Sequence, residues 1–376
     1  MNFLFAINHP SQFHMFKNLA IKLIEDNHNC IFFIQQRGII EDLVIDQGFE
    51  YRFLVSPIWR DRLKGRFGII LRGIIHIIQS DVRVLLYSLQ NQVDMLLGTD
   101  VSITHVGFLL KKVSIVFTDD DFYFIKQYCN LAFPFANHVF AASVVDVGKW
   151  EKKRIGYGGN QKTGYLHPQY FKPDPRVLEK YGLCENEYSI IRLVTFAAIH
   201  DSVHSVQSGL NASILNQIIP FLKGIGRVII NKEQNDNSGF EEYQVQIDPE
   251  DMHSLMYYAR LLLTDSQSMH VEAGLLGTPS IRTNQWVDKE KRLHVIDYLE
   301  NNYGLGISVS PNAPELIISK TKELAGAEMK ELWNSRREDF FRENTNFTEL
   351  LFWFVSQYPN SYKAYVGNPS IIDRFR

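Results

Sequence analysis

Cysteine is scarce: Cys30, Cys129 and Cys184 are the only three in 376 residues, and none falls in a Cys-x-x-Cys pair. A dispersed, odd-numbered set gives neither a disulfide framework nor the paired thiolates of a structural zinc site. Charge of one sign is also lacking. Thirty-nine basic against 42 acidic residues leave a net charge of −3, so the global basic footprint of a nucleic-acid binder is missing and no nucleic-acid partner is expected. No run of 18 uncharged apolar residues occurs, and no segment reads as a membrane span. The start, Met1 to Ile7, has no basic region and meets Asn8, His9 and Pro10 at once, unlike a secretory leader; a cytoplasmic chain is expected. A glycine-rich phosphate loop is absent after the first apolar run, where Asn8-His9-Pro10-Ser11-Gln12 stands instead.

What is present is alternation. Phe3–Ile7, Cys30–Ile34, Tyr51–Val55, Met95–Leu97, Ser114–Phe117 and Val139–Ala142 read as strands, the continuous apolar ones as strands buried on both faces. Between them Phe13–Glu25, Ile39–Ile45, Phe67–Leu89, Val101–Leu110 and Phe122–Phe133 have helical spacing. Residues 156–175 hold four glycines and three prolines and read as a linker. The alternation then restarts. Strands are expected at Ser189–Phe196, Arg227–Asn231, Arg260–Thr264 and Pro279–Arg282. Helices are expected at Ala212–Leu222, Asp251–Ala259 and Ser268–Leu276, then over Pro314–Glu343 and Thr348–Gln357. Strand–helix repeats with right-handed crossovers make parallel, doubly wound sheets. The expected fold is therefore α/β: two Rossmann-like domains, 1–160 and 176–345, facing across a cleft. A last segment, 346–376, would pack back on the first domain.

Ligands of such sheets sit at the carboxyl ends of the strands, so the polar loops there supply the candidates. Asn8, His9 and His14 follow the first strand. A histidine near its ordinary pKa can take a proton from a hydroxyl at neutral pH, which makes His14 and His9 candidate bases; the alternative for His14 is a helix-start residue satisfied locally. Asp119-Asp120-Asp121 end the fifth strand. Crowded carboxylates raise at least one pKa by repulsion, so Asp120 is a candidate base and Asp119 a binder of hydroxyl donors, while Asp121 is expected to cap the helix over 122–133. His200 and Asp201 follow the first strand of the second half; a charged His200, oriented by Asp201, would stabilise a leaving diphosphate. Asp265 and Ser266 end a strand, and Ser268 reads as the cap of the next helix. Its first amides, around Ser266, Ser268 and Met269, together with the macrodipole, make an anion site. Glu272 lies a turn further in, and Arg282 and Asn284 are expected to face the same cleft. His253 is either a ligand contact or a surface residue. Residues 59–78 join a basic start to an apolar helix, which suits a peripheral membrane contact; the alternative is a core helix after a solvated loop.

Two stretches carry a resemblance. The segment Asp265-Ser-Gln-Ser-Met-His-Val-Glu-Ala-Gly-Leu-Leu-Gly-Thr-Pro279 looks like the nucleotide-sugar motif of GT-B enzymes. The start, Ile7-Asn8-His9-Pro10 with Phe13-His14-x-Phe16-Lys17-Asn18, resembles the bacterial and archaeal family named for domain of unknown function 354. Ile115–Asp120, Phe133–Ala136, Tyr165–Asp174 and Met252–Ala259 agree with it, and the likeness runs to about residue 360. Its fold is similar to that of UDP-N-acetylglucosamine 2-epimerase and of the inverting N-acetylglucosaminyltransferases. The resemblance implies that Glu272 bonds the ribose, that the loop before the His253 helix meets the base, and that a histidine of the first loop lies near the acceptor. It further implies a metal-independent glycosyltransferase with no cofactor, a nucleotide-diphosphate sugar donor (UDP-linked) and a glycan or lipid-linked acceptor. A 2-epimerase, or a nucleotide-sugar binding protein without catalysis, are the alternatives. The epimerase's Gly-Thr-Arg-Pro-Glu start is replaced here by Ile7-Asn8-His9-Pro10.

Overall fold

In the computed structural model two parallel sheets form, one in each of two compact units: Met1–Tyr165 with Asn344–Arg376, and Leu166–Glu343. The structure describes residues 1–35, 38–55, 65–193, 210–232 and 240–376, with only the backbone of 65–70.

In chain order the first unit begins with β1 (Asn2–Ile7), α1 (Pro10–Glu25), β2 (Asn29–Ile34), α2 (Gly38–Asp46), β3 (Glu50–Phe53) and α3 (Gly65–Gln90). It continues with β4 (Met95–Gly98), α4 (Ser102–Leu110), β5 (Val113–Thr118), α5 (Lys126–Ala132), β6 (His138–Ala142), β7 (Arg154–Tyr157) and the one-turn α6 (Thr163–Leu166). All its strands are parallel, in the order β3-β2-β1-β4-β5-β6-β7. The switch point lies between β1 and β4, where Phe3 pairs with Met95. Past Asn2, the central strands β1 and β4 carry no polar side chain, because both faces are covered. Their aromatic core runs from Phe5 on Phe32, 5.0 Å between rings, through Phe16 on Phe117, 4.9 Å, to Phe140 on Phe354, 4.9 Å.

The second unit holds α7 (Arg176–Tyr181), β8 (Tyr188–Leu193), α8 (Ala212–Lys223), β9 (Arg227–Lys232), α9 (Met252–Tyr258), β10 (Leu261–Thr264) and α10 (Gln267–Leu275). Then come β11 (Ser280–Arg282), α11 (His294–Tyr303), β12 (Ile307–Ser308), α12 (Pro314–Leu324) and α13 (Ala327–Glu343). Its parallel order is β12-β11-β10-β8-β9, a second doubly wound sheet with its switch point between β10 and β8. The chain then returns to the first unit as α14 (Phe347–Ser356) and α15 (Asn360–Gly367). Lys22 of α1 meets Glu349 of α14 at 2.6 Å.

Several sequence readings are corrected. The first helix starts at Pro10, three residues before Phe13, because His9 rather than a later residue caps it. The fifth helix starts at Lys126, and Asp121 does not cap it: the N-cap is Ile125, without a side-chain bond. Asp121 instead accepts from the Asp146 amide at 2.7 Å, tying the loop after β5 to the loop after β6. Arg154–Tyr157, the edge of the stretch read as linker, is a seventh strand beside β6. The long helix over 314–343 is two helices, interrupted at residues 325–326. The end of the strand reading at Phe196, and His200 and Asp201 with it, lie outside the described residues, as do Arg60, Arg62 and Lys64.

Candidate active site

In the first unit the functional loops gather at the carboxyl edge of the sheet. His9, in extended backbone, caps α1: its Nδ1 accepts from the Ser11 amide, and Gln12 Oε1 reaches back to the His9 amide at 3.1 Å. Gln12 Oε1 also accepts from the Asn8 amide and from Thr99 Oγ1, both at 2.7 Å. An imidazole whose Nδ1 accepts carries its proton on Nε2. His9 thus presents a donor rather than a base, because the capping box has taken its acceptor nitrogen. His14 sits in the second turn, half-buried, its ring 5.5 Å from that of Tyr165.

At the switch point Asn8 Nδ2 donates to Asp100 Oδ2 at 3.1 Å, and Asp100 Oδ1 accepts from the Ser102 amide and hydroxyl. His76 Nε2 of α3 lies 3.4 Å from Asp100 Oδ2. Desolvation would raise the buried Asp100 carboxyl, but His76 first, and then the Ser102 hydroxyl and amide, hold it below its ordinary range. Gly98 makes this closeness possible. Its φ is +147°, and a Cβ there would stand 2.1 Å from the Ala6 carbonyl oxygen.

At the end of the neighbouring strand, β5, Asp120 is half-buried and its carboxyl is pushed up to about 7. Desolvation is the main cause and the charges of Asp119 and Asp121 add to it, while the buried Lys162 opposes them. No hydrogen-bond donor among the described residues reaches the Asp120 carboxyl; only its backbone is engaged, by Thr118. Around this edge the Tyr128 and Tyr157 hydroxyls, Asn160 Nδ2 and Asn8 Oδ1 are buried with no partner among the described residues. Tyr157 feels Asp119, and Tyr128 feels Asp100. Idle buried donors and acceptors call for a ligand or water. Asp100, His76, Tyr128 and Lys162 escaped the sequence reading. Only Asp100 has a local signal, a polar residue just past an apolar strand.

In the second unit β10 ends at Thr264 and α10 begins. Ser266, not Ser268, is its cap: Ser266 Oγ accepts from the Met269 amide at 3.3 Å, and the Ser266 amide donates to Thr264 Oγ1. Residues 266–268 are half-exposed, whereas 269–275 are buried. Ser268 turns instead to Glu272, with 3.4 Å between its Oγ and Oε1. His253 Nε2 of α9 stands 3.6 Å from Glu272 Oε2. Ser268, Glu272 and His253 therefore gather beside the opening turn of the helix, whose amides and dipole favour an anion.

Arg282 and Asn284 do not take the expected orientation. Asn284 is fully buried and holds the loop, donating to the Asp265 carbonyl and accepting from the Trp286 amide. Arg282 is 3% exposed and donates to Ser308 Oγ through Nε and Nη2. It joins a buried network in which Glu300 meets His270 at 2.9 Å and Arg292 at 3.1 Å. These partners hold Glu300 down to about 2 despite burial, and burial lowers Arg282 to about 10. Among the described residues no cluster of three His, Cys, Asp or Glu side chains is arranged to hold a metal ion.

Residues 7–305 match the family described as "Protein of unknown function (DUF354)". The chain belongs to the DUF354 family. Among curated proteins no match is found. Similar solved structures include the UDP-GlcNAc 2-epimerase of Neisseria meningitidis bound to UDP-GlcNAc, with 12% identity over 95% of this chain and 100% of that one, at a TM-score of 0.65. The S. aureus MnaA–UDP co-structure has 13% identity over 96% and 98%, at 0.64. Acinetobacter baumannii MurG has 14% identity over 95% and 100%, at 0.55. At these identities the likeness establishes the fold: this DUF354 chain has the GT-B-like arrangement of two parallel α/β sheets, shared by nucleotide-sugar epimerases and glycosyltransferases.

Proposed function

We propose that the chain is a glycosyltransferase that moves a sugar from a nucleoside-diphosphate sugar, UDP-linked, to a hydroxyl of a glycan or lipid-linked acceptor. The observation that carries the reading is Asp120: a half-buried carboxyl at the strand ends of the first unit, pushed up to about 7, which no hydrogen-bond donor among the described residues reaches. A base poised near the operating pH is what proton removal from a hydroxyl requires. In the proposed reaction Asp120 takes the acceptor's hydroxyl proton as that oxygen attacks the anomeric carbon. The anomeric C–O bond to phosphate breaks, and its electron pair leaves with the diphosphate. In the second unit the diphosphate rests on the opening amides of α10, around Ser266, Ser268 and Met269, and Glu272 accepts from the ribose hydroxyls beside His253. Asn8, Asp119 and the idle Tyr157 and Asn160 groups take acceptor or sugar hydroxyls, with Lys162 tuning Asp120. His200 and Asp201 keep the role inferred for them from sequence, stabilising the leaving diphosphate. That two similar structures hold UDP and UDP-GlcNAc supports the choice of uridine.

A second reading, nucleotide-sugar 2-epimerase, uses the same acids. Asp119 and Asp120 would supply an acid and a base to one sugar, without an acceptor. The test is incubation with a panel of nucleotide sugars, with and without membrane lipid extract. Release of nucleoside diphosphate only with the extract is expected, together with loss of about a hundredfold or more in Asp120→Asn and weaker UDP binding in Glu272→Gln. Isomerised nucleotide sugar formed without extract would replace transfer by epimerisation. Neither product, with tight UDP binding, would leave a binding protein.

A further inference from the structure

The helix α3 is no core helix. Ile74, Ile78, Val82, Leu86 and Leu89 recur along it at helical spacing and are each between 48% and 58% exposed. Ser80, Val84 and Ser88, on the opposite side, are buried. The first four exposed residues form one i±4 ridge, the kind that seats in the grooves of a facing helix. On α4, which packs beside α3, Phe108 and Leu109 are 67% and 64% exposed. His105 of α4 ties the two helices together, its Nδ1 2.9 Å from Asp81 of α3. Taking about 200 Å² as the full surface of a large apolar residue, these seven leave roughly 800 Å² uncovered. The largest apolar patch of an ordinary monomer is about 300–600 Å².

A second copy of this chain fits that surface. A standard protein interface takes about 800 Å² from each partner, which is the area left open here. A two-fold contact is also isologous: a residue on the axis meets itself, and residues on either side of it exchange partners. The ridge has that symmetry. Val82 is its midpoint, with Ile78 and Leu86 about one turn to either side and Ile74 and Leu89 beyond them. Against an antiparallel copy with the axis at Val82, Ile78 faces Leu86 of the second copy and Ile74 faces its Leu89, so each apolar side chain finds another. Val82 is the smallest of the five, which lets the two helices come closest at the axis. The charges flanking it are engaged within their own chain, Asp81 with His105 and Arg83 with the Phe53 carbonyl at 2.9 Å. The same helix carries His76, whose Nε2 lies 3.4 Å from Asp100, so a copy seated on α3 steadies the helix that completes this corner of the candidate site.

We propose that the chain forms a two-fold dimer through α3, with Val82 on the axis and Phe108 and Leu109 of α4 at the margin. The inference goes beyond the sugar-transfer reading, because it concerns assembly and its readouts involve no substrate. The first test is sedimentation velocity of the full chain across the micromolar range. The native chain should sediment at twice the 43.6 kDa of one chain. Val82→Asp sets two carboxylates against each other on the axis and should weaken dimerisation about a hundredfold or more. Its circular dichroism should keep the native helix content, since Val82 faces solvent in the single chain. The second test breaks nothing. Val82→Cys is made with Cys184→Ser, because Cys184 is exposed. A disulfide needs the two Cα atoms within about 7 Å, a condition met only near the axis. Mild oxidation should therefore link the Val82→Cys chains in pairs, while Ile24→Cys, at an exposed position on α1, should stay unlinked. The proposal is overturned if the native chain sediments as a monomer, if Val82→Asp leaves the dimer intact, or if the two cysteine variants link equally. A monomer that floats with phosphatidylglycerol vesicles would give the face to a membrane instead. A failed sugar-transfer assay changes none of these readouts, so the two readings fail separately.

Discussion

Replacing Asp120 by asparagine should stabilise the chain, and the gain should depend on pH. The folded carboxyl is raised from 3.8 to about 7, so the folded state binds its proton more tightly than the unfolded chain does. The stability tied to that proton is complete below 3.8 and is lost as pH rises through 7. A rise of about 3 units corresponds to about 4 kcal/mol at full ionisation. Asp120 is partly exposed and shares the effect with Asp119 and Asp121, so about 2 kcal/mol is the working figure. Asparagine keeps the shape and drops the charge. Asp120→Asn should therefore match the native chain near pH 4 and pull ahead until it levels off above pH 7. For a unit of this size that is roughly 4–8 °C in Tm, read by thermal melts across the pH series. A gain in stability paired with a loss of turnover is the signature of a strained functional residue. Equal melting at pH 4 and pH 8, or a gain independent of pH, would remove the raised carboxyl and with it the base.

Two further outcomes test the framework around the site. Gly98→Ala drives a methyl against the Ala6 carbonyl in a left-handed backbone and should cost about 3 kcal/mol or more; urea midpoints near the native value would mean that β1 and β4 do not approach as described. His138 is buried against Tyr358 and Tyr362, and desolvation with Lys153 lowers it from 6.5 to about 4. Its contribution, about 3 kcal/mol, is complete above 6.5 and lost as pH falls toward 4. His138→Phe should flatten that part of the urea-midpoint profile, and an unchanged slope would place the acid sensitivity elsewhere.

The order of strands and helices was legible because it is written in short-range pattern. Leu96, Phe117 and Val139 are buried on both faces of a parallel sheet, which forces continuous apolar runs with helical segments between them. Arg154–Tyr157 escaped because an edge strand of four residues with alternating burial looks like the glycine-rich stretch that follows it. The crowding of Asp119, Asp120 and Asp121 was equally local, so a raised carboxyl could be expected from three adjacent letters. Which of the three is raised could not be. Asp121 is spent on the Asp146 amide and Lys162 moderates Asp120, and both partners come from distant parts of the chain.

The errors share a cause. A polar residue at the end of a strand can cap the next helix or face a ligand, and the residue type suits both. Ser266 and Ser268 are the same letter two places apart; backbone geometry alone decides that Ser266 bonds the Met269 amide while Ser268 turns to Glu272. His9 and His14 divide in the same way, the first completing a capping box with Gln12, the second standing half-buried beside Tyr165. Arg282 shows the reverse case. A cation at a strand end invites a diphosphate, yet Glu300 and Ser308, from the following helix and strand, draw it inward. A residue whose polar atoms are all spent inside the fold has little left for a substrate. Asp120, whose carboxyl meets no donor among the described residues and whose pKa is lifted toward neutrality, is where the described fold has left a proton acceptor unspent.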